Sequence, residues 1–214
     1  MTTLFSTHET LSALNGGALK SPKLRIVNTD AFQWLQQGDL SAAEPPQGAS
    51  APSAGSAPRA AASAGADDTF DVIVVDFPDP TNFAIGKLYT SAFYALLEKR
   101  LSASGYAVIQ TTSPLVARRS FWTVATTIES VGLQATPYHA HVPSFGEWGF
   151  IIASRRPYRQ PDALPEGLRF LTAKTLPLLF DFPKDMARVP TEVNRLSNQV
   201  LVTTYEQEWG KVVH

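Results

Sequence analysis

The order of apolar runs along this chain predicts an α/β fold with a mainly parallel sheet, strands alternating with helices. Three observations carry that expectation. Val72-Ile73-Val74-Val75 is a run of four β-branched residues, the pattern of a buried strand. Ser91 to Ser102 places Phe93, Leu96, Leu97 and Leu101 at helical spacing. Tyr106-Ala107-Val108-Ile109-Gln110-Thr111 is then a further strand-like run, completing strand, helix, strand.

Earlier in the chain, Leu24-Arg25-Ile26-Val27 reads as a short strand, followed by Asn28-Thr29-Asp30 and a helical Ala31-Phe32-Gln33-Trp34-Leu35. From Ser41 to Ala66 the composition shifts to Ala, Ser, Pro and Gly. Such a segment has little to bury and reads as a flexible, disordered insertion within one domain. Gly105 is expected to close the helix that begins at Ser91, and Pro114 to open another that runs to Val131 and ends at Gly132. Strands follow near Leu133 to Tyr138 and Trp148 to Ser154, joined by a loop rich in His, Pro and Gly. Beyond Pro157 the chain is punctuated by proline, with a short helix near Ala173 to Phe180 and a last apolar stretch at Val200-Leu201-Val202. Residues 1–160 are thus expected to form one domain, and residues 161–214 an extension packing on it.

Composition narrows the function classes. The chain has 214 residues, 44% of them hydrophobic, enough for one domain with a core. A net charge of −1 without a basic run argues against nucleic acid as a partner, because phosphate contacts need clustered Lys and Arg. The absence of cysteine rules out disulfides and thiolate chemistry within these residues. No apolar run is long enough to span a bilayer, so a soluble, cytoplasmic chain is expected.

The chemistry concentrates where the Val72 strand ends, in Asp76-Phe77-Pro78-Asp79-Pro80. Pro78 and Pro80 keep this segment extended. Ligands of open α/β sheets sit beyond the carboxyl ends of the strands, which is where Asp76 and Asp79 fall. An alkyl amine is mostly protonated at neutral pH, and freeing its lone pair costs roughly 4–5 kcal/mol. Two carboxylates spaced D-x-x-D could attract such a cation and take its proton. A strand followed by an ordinary polar turn fits the same nine residues. Asp30 suits either a ligand contact or the N-cap of the helix at Ala31. Gln110 ends its strand and could serve a ligand or a neighbouring loop. His139 and His141 lack a third ligand nearby, so no metal site is expected. No G-x-S-x-G elbow supports a hydrolase.

With these residues in view, the chain resembles the polyamine aminopropyltransferases, the spermidine synthase family, and within it a bacterial branch whose full-length members are membrane-associated. The resemblance rests on Asp71-Val72-Ile73-Val74-Val75-Asp76-Phe77-Pro78-Asp79-Pro80, Lys87-Leu88-Tyr89, Thr112-Ser113-Pro114, and Val142-Pro143-Ser144-Phe145-Gly146-Glu147-Trp148-Gly149-Phe150. The tail around Glu192-Val193-Asn194-Arg195-Leu196 also matches. It implies a methyltransferase-like (Rossmann-type) sheet, strand order 3-2-1-4-5-7-6, of which this chain would lack the first two strands. It also implies transfer of an aminopropyl group from decarboxylated S-adenosylmethionine, as co-substrate and without a further cofactor, to a diamine such as putrescine. Carried over by position, Asp76 accepts the proton, Asp79 holds the amine, Asp30 and Ala31 contact the adenine, and Gln110 lines the donor site. Phe145 stands where relatives often have a Tyr facing the diamine. The glycine-rich donor loop and the acidic residue that grips the donor ribose have no counterpart, so the chain is expected to be the C-terminal part of a longer enzyme. A homo-oligomer is compatible with this reading. The competing expectation is a non-catalytic remnant or binding protein of the same fold; a methyltransferase suits Asp76 and Asp79 less well.

Composition yields one prediction. Ordering costs about 1–2 kcal/mol per residue, which the Ala/Ser/Pro/Gly segment cannot offset by burial. Replacing residues 41–66 with a short Gly-Ser link should leave the melting temperature within a few degrees in calorimetry. A large drop would show that the segment packs.

Overall fold

The computed structural model describes residues 2–37 and 69–211; the insertion expected at 41–66 lies outside them. In chain order the elements are α1 Thr2–Thr7, α2 Glu9–Leu14, α3 Ala31–Gln37, β1 Phe70–Val75, α4 Phe83–Gly86, α5 Ser91–Arg100, β2 Leu101–Gln110, α6 Arg118–Glu129, β3 Gln134–Val142, β4 Gly146–Ser154 and α7 Val200–Trp209. Short 3-10 turns lie at Ala18–Lys20, Lys87–Tyr89 and Pro177–Phe180.

The α/β class is as expected. The described strands form one sheet in the order β1-β2-β4-β3, which is the 4-5-7-6 portion of the order implied by the resemblance. β1 and β2 pair in parallel across the α5 crossover, with Val74 opposite Val108. β4 runs antiparallel to both β2 and β3. The mainly parallel expectation therefore needs correcting: one pairing of three is parallel. The reason is local, since the three residues between β3 and β4 allow only an antiparallel hairpin, whereas a parallel pair needs a long crossover.

One sheet face is buried under α5 and α6. Phe93, Tyr94 and Leu97 from α5 and Phe121, Val124 and Ile128 from α6 pack on Val75, Ala107, Ile109, Ile151 and Ala153. On the opposite face a chain of rings runs from Tyr106 through Tyr158, Phe180 and Tyr138 to Phe150, with successive centroids 5.1–5.9 Å apart. At the hinge between sheet and α6, the Gly149 backbone exchanges hydrogen bonds with the Thr111 N–H and Thr112 carbonyl. A Cβ at Gly149 would lie 2.5 Å from the Phe121 ring, so only glycine lets this strand and helix meet.

Several boundaries differ from expectation. Leu24-Arg25-Ile26-Val27 forms no strand, and Leu24 and Ile26 remain 45% and 40% exposed. A strand exists only through a neighbour that takes its N–H and C=O groups, and no described strand lies beside it. Gly105 does not close α5. It lies inside β2, which begins directly after Arg100, where the β1–β2 register shifts and a Cβ would lie 2.7 Å from the Phe70 carbonyl. Pro114 opens a turn, not a helix; α6 starts at Arg118. The helix expected at 173–180 is reduced to a 3-10 turn. The apolar stretch at Val200 proves to open a ten-residue helix.

The C-terminal residues are tied to the rest through Asn194, which is fully buried. Its Nδ2 donates to the Tyr89 carbonyl at 3.0 Å and the Gly86 carbonyl at 3.4 Å. Its Oδ1 accepts from the Leu201 N–H at 3.2 Å, in the first turn of α7. Its own N–H donates to Thr127 Oγ1 on α6, and its carbonyl accepts from the Ser91 N–H on α5.

Asn194→Ala leaves buried carbonyl and N–H groups unpaired, and should cost about 2–4 kcal/mol in chemical denaturation. A loss below about 0.5 kcal/mol, the scale of an ordinary surface substitution, would show that water replaces the amide.

Candidate active site

β1 ends at Val75, and the chain leaves it as Asp76-Phe77-Pro78-Asp79-Pro80. Phe77 turns inward, edge-on to Phe93 at 5.4 Å and to Tyr89 at 6.3 Å. The buried Tyr89 hydroxyl donates toward the Phe77 and Pro78 carbonyls, at 3.2 and 3.0 Å. The two prolines cannot donate from their own backbone, so the segment is held extended by this phenol instead of by a strand partner. Asp76 is left exposed and Asp79 partly buried. The Tyr89 hydroxyl is held far above its ordinary ionisation range, by burial first and then by the charges of Asp79 and Asp76. Both carboxylates therefore act on the same short stretch of structure.

Asp79 lines a cavity of about 490 Å³ together with its neighbours Phe77 and Pro78 and with Gln110, Ser144, Phe145, Trp148, Tyr205 and Trp209. Gln110 arrives from the last residue of β2, opposite Phe150 on β4. Phe145 comes from the turn between β3 and β4, where its N–H donates to the Val142 carbonyl at 2.9 Å; its ring is 65% exposed and lies 5.2 Å from Trp148. Tyr205 and Trp209 come from α7, and the Tyr205 hydroxyl donates to Asp79 Oδ2 at 2.8 Å. Burial raises the Asp79 carboxyl above the usual range, and the Tyr205 hydrogen bond partly offsets this. Burial likewise pushes the Tyr205 hydroxyl well up, reinforced by Asp79. The result is a partly desolvated anion among aromatic faces, an arrangement suited to an organic cation.

The expected site residues divide into two groups. Asp79, Gln110 and Phe145 share the cavity, and Asp76 lies on the same loop without lining it. Asp30 and Ala31 are elsewhere. Asp30 caps α3, its Oδ1 accepting from the Phe32 and Gln33 N–H groups at 2.9 and 3.1 Å. Its Oδ2 is ion-paired to Lys87 at 2.7 Å, which with the capping bonds holds the carboxyl below its ordinary range. The capping role open to Asp30 is thus filled, together with an ion pair. Ala31 lines a separate apolar cleft of about 340 Å³, with Trp34, Val72 and Val74. His139 directs Nδ1 to Glu147 Oε1 across the β3–β4 hairpin and Nε2 to the Asp181 carbonyl, so one ring nitrogen ties the two strands together and the other ties the hairpin to the C-terminal segment. Tyr89, Trp148, Tyr205 and Trp209 were not among the expected residues. Tyr205 and Trp209 stand four apart, so a helix over Val200–Trp209 puts both rings on one face; that spacing was the available signal.

Comparison with known proteins follows the same lines. Residues 60–162 match the spermine/spermidine synthase domain. The whole chain aligns with a polyamine aminopropyltransferase of Leptospira interrogans at 42% identity, and with polyamine aminopropyltransferase 2 of Ralstonia nicotianae at 44%. It spans 37% of the length of each of these relatives. A solved structure, spermidine synthase from Thermotoga maritima, superposes with a TM-score of 0.48 at 16% identity, over 95% of this chain and 55% of that one.

The direction of the Asp79 shift gives a stability prediction. A raised folded-state value means the folded chain prefers the protonated carboxyl. Ionised Asp79 thus costs stability, and that cost grows as pH rises from the unfolded value through the folded one. Asp79→Asn should leave the melting temperature at pH 7 unchanged or higher, and its advantage over wild type should vanish on acidification. A marked loss at pH 7 would show that the charged Tyr205 contact outweighs desolvation.

Proposed function

Given that this chain belongs to the polyamine aminopropyltransferase (spermidine synthase) family, we propose that it serves the transfer of an aminopropyl group from decarboxylated S-adenosylmethionine to a diamine, with Asp79 binding the amine and Asp76 accepting its proton. The observation that carries this reading is the partly buried Asp79 carboxylate at the head of an aromatic cavity, beyond the carboxyl ends of β1 and β2. The bound diamine enters as a cation. Asp76 is exposed on the same loop, which suits a group that takes a proton from the amine and returns it to solvent. The freed nitrogen lone pair attacks the carbon beside the sulfonium; a C–N bond forms, the C–S bond breaks, and its electron pair neutralises sulfur as methylthioadenosine leaves. The sulfonium is already a good leaving group, so the reaction needs no general acid. Gln110, at the edge of the cavity, is proposed to face the donor, and Phe145 the far part of the diamine. The proposed setting is cytoplasmic; among the described residues no helix is long and apolar enough to cross a membrane.

A specific observation favours a second reading, a diamine-binding protein without transferase activity. The amine-side residues Asp79 and Phe145 share a cavity, whereas at the expected adenine end Asp30 is already engaged by the α3 N–H groups and Lys87 and Ala31 opens on a separate apolar cleft.

The two readings separate in a chimaera carrying this chain in place of the matching region of the Leptospira relative. Release of methylthioadenosine is expected. Asp76→Asn should lower kcat by about 10²–10⁴-fold, as removal of a general base does, with little change in diamine affinity. Diamine binding without turnover would favour the binding protein, and near-normal turnover by the Asp76 variant would remove its assignment as proton acceptor.

A further inference from the structure

Helix α7 supplies two rings to the cavity, and neither carries a role so far. Resting on the reading of Asp79 as the amine-binding carboxylate, we infer that α7 is the selectivity-determining wall of the acceptor site: the Tyr205 hydroxyl is a positioning group that fixes the Asp79 carboxylate, and the Trp209 ring limits the length of the diamine bound there.

The helix is fastened independently of that contact. Near its end, the Glu208 carboxylate accepts from the Arg119 and Ser120 N–H groups at 2.8 and 2.9 Å and from Ser120 Oγ at 2.6 Å. Glu208 thereby caps α6, which has no side-chain cap of its own at Ala117, and a carboxylate is favoured at that positive helix end. The Trp209 Nε1–H donates to Thr112 Oγ1 at 3.1 Å, which fixes the plane of the indole. At the other end Asn194 accepts from the Leu201 N–H. Tyr205 is thus delivered to Asp79 by a helix already held in place.

Two consequences follow. Tyr205 donates to one oxygen of Asp79, Oδ2; no hydrogen bond to Oδ1 occurs among the described residues, which leaves that oxygen to face an ammonium. Next, the rings of Trp148 and Tyr205 each lie beside Trp209, with centroids 6.2 and 6.0 Å from it, and Phe145 lies 5.2 Å from Trp148. A second ammonium on a short alkyl chain would meet these faces through cation–π attraction, whereas a longer chain would run into Trp209. The class of ligand is a short α,ω-diamine. The titratable groups about Asp79 are Tyr205 from α7, Tyr89 from the 3-10 turn, and Asp76 on its own loop.

Isothermal titration on the 214-residue chain, with putrescine and octamethylenediamine as probes, tests this. The wild type should prefer putrescine. Tyr205→Phe keeps the ring and should weaken putrescine by about 3–10-fold, the net worth of one ordinary hydrogen bond, because the role is to position the carboxylate and not to touch the amine. It should also move the acidic limb of the binding curve to higher pH, because the bond that holds the Asp79 carboxyl down is gone; a merely structural phenol would not move that limb. Trp209→Ala should shift the ratio of the two affinities toward octamethylenediamine by about tenfold or more, the scale of discrimination a pocket wall provides. Melting temperatures of both variants, with Trp209→Phe as the conservative control, identify any loss that comes from unfolding. Asp79→Asn separates the two levels. If it abolishes putrescine binding while the α7 variants change neither the ratio nor the pH limb, the inference fails and the reading of Asp79 stands. If Asp79→Asn binds putrescine normally, or the wild type binds neither probe, the reading fails and the inference with it.

Discussion

One buried amide holds both walls of the cavity in register. Asn194 grips the Tyr89 carbonyl with its Nδ2 and the first turn of α7 with its Oδ1. Tyr89, through its hydroxyl, keeps the Phe77-Pro78 backbone extended and so aims Asp76 and Asp79. α7 in turn carries Tyr205 to Asp79. An amide suits this place because it offers donors and an acceptor at once; an acid or a hydrocarbon there would leave one side unmatched in a site that water does not reach. The geometry of the carboxylates thus depends on a residue that touches neither of them.

Much of the cavity could be anticipated because its members sit where local pattern is informative. Asp79 and Gln110 follow apolar runs, and the carboxyl ends of strands in an α/β sheet are where ligands gather. Phe145 lies in the turn between two strands. The α7 contribution was hidden for the opposite reason. Val200-Leu201-Val202 viewed alone is an apolar stretch of uncertain kind, and nothing local indicates that Tyr205 meets an aspartate 126 positions earlier. That pairing is decided by the tertiary route of the C-terminal segment, through Asn194 and Glu208.

The departures at Leu24 and Gly105 have related causes. β-branched and leucine content marks Leu24-Arg25-Ile26-Val27 as strand-capable, but strand formation is a property of a pair, and without a partner the residues stay partly exposed. Gly105 has the composition of a helix stop. Its actual service is to admit the Phe70 carbonyl at close range where the register of β1 and β2 slips. Asp30 combines two services that sequence cannot weigh: one oxygen caps α3 and the other pairs with Lys87, 57 positions later.

The neighbouring rings of Trp148 and Trp209 have an optical consequence. Indole centroids 6.2 Å apart and inclined at 45° couple their electronic transitions, so the docked helix should carry a split circular-dichroism band that neither chromophore produces alone. Trp34 lies instead beside Phe70, and Trp122 beneath Arg188, each with a different surrounding. The molecule therefore contains its own spectroscopic reporter on the packing of α7 against the β3–β4 hairpin, readable without a label and in a single sample.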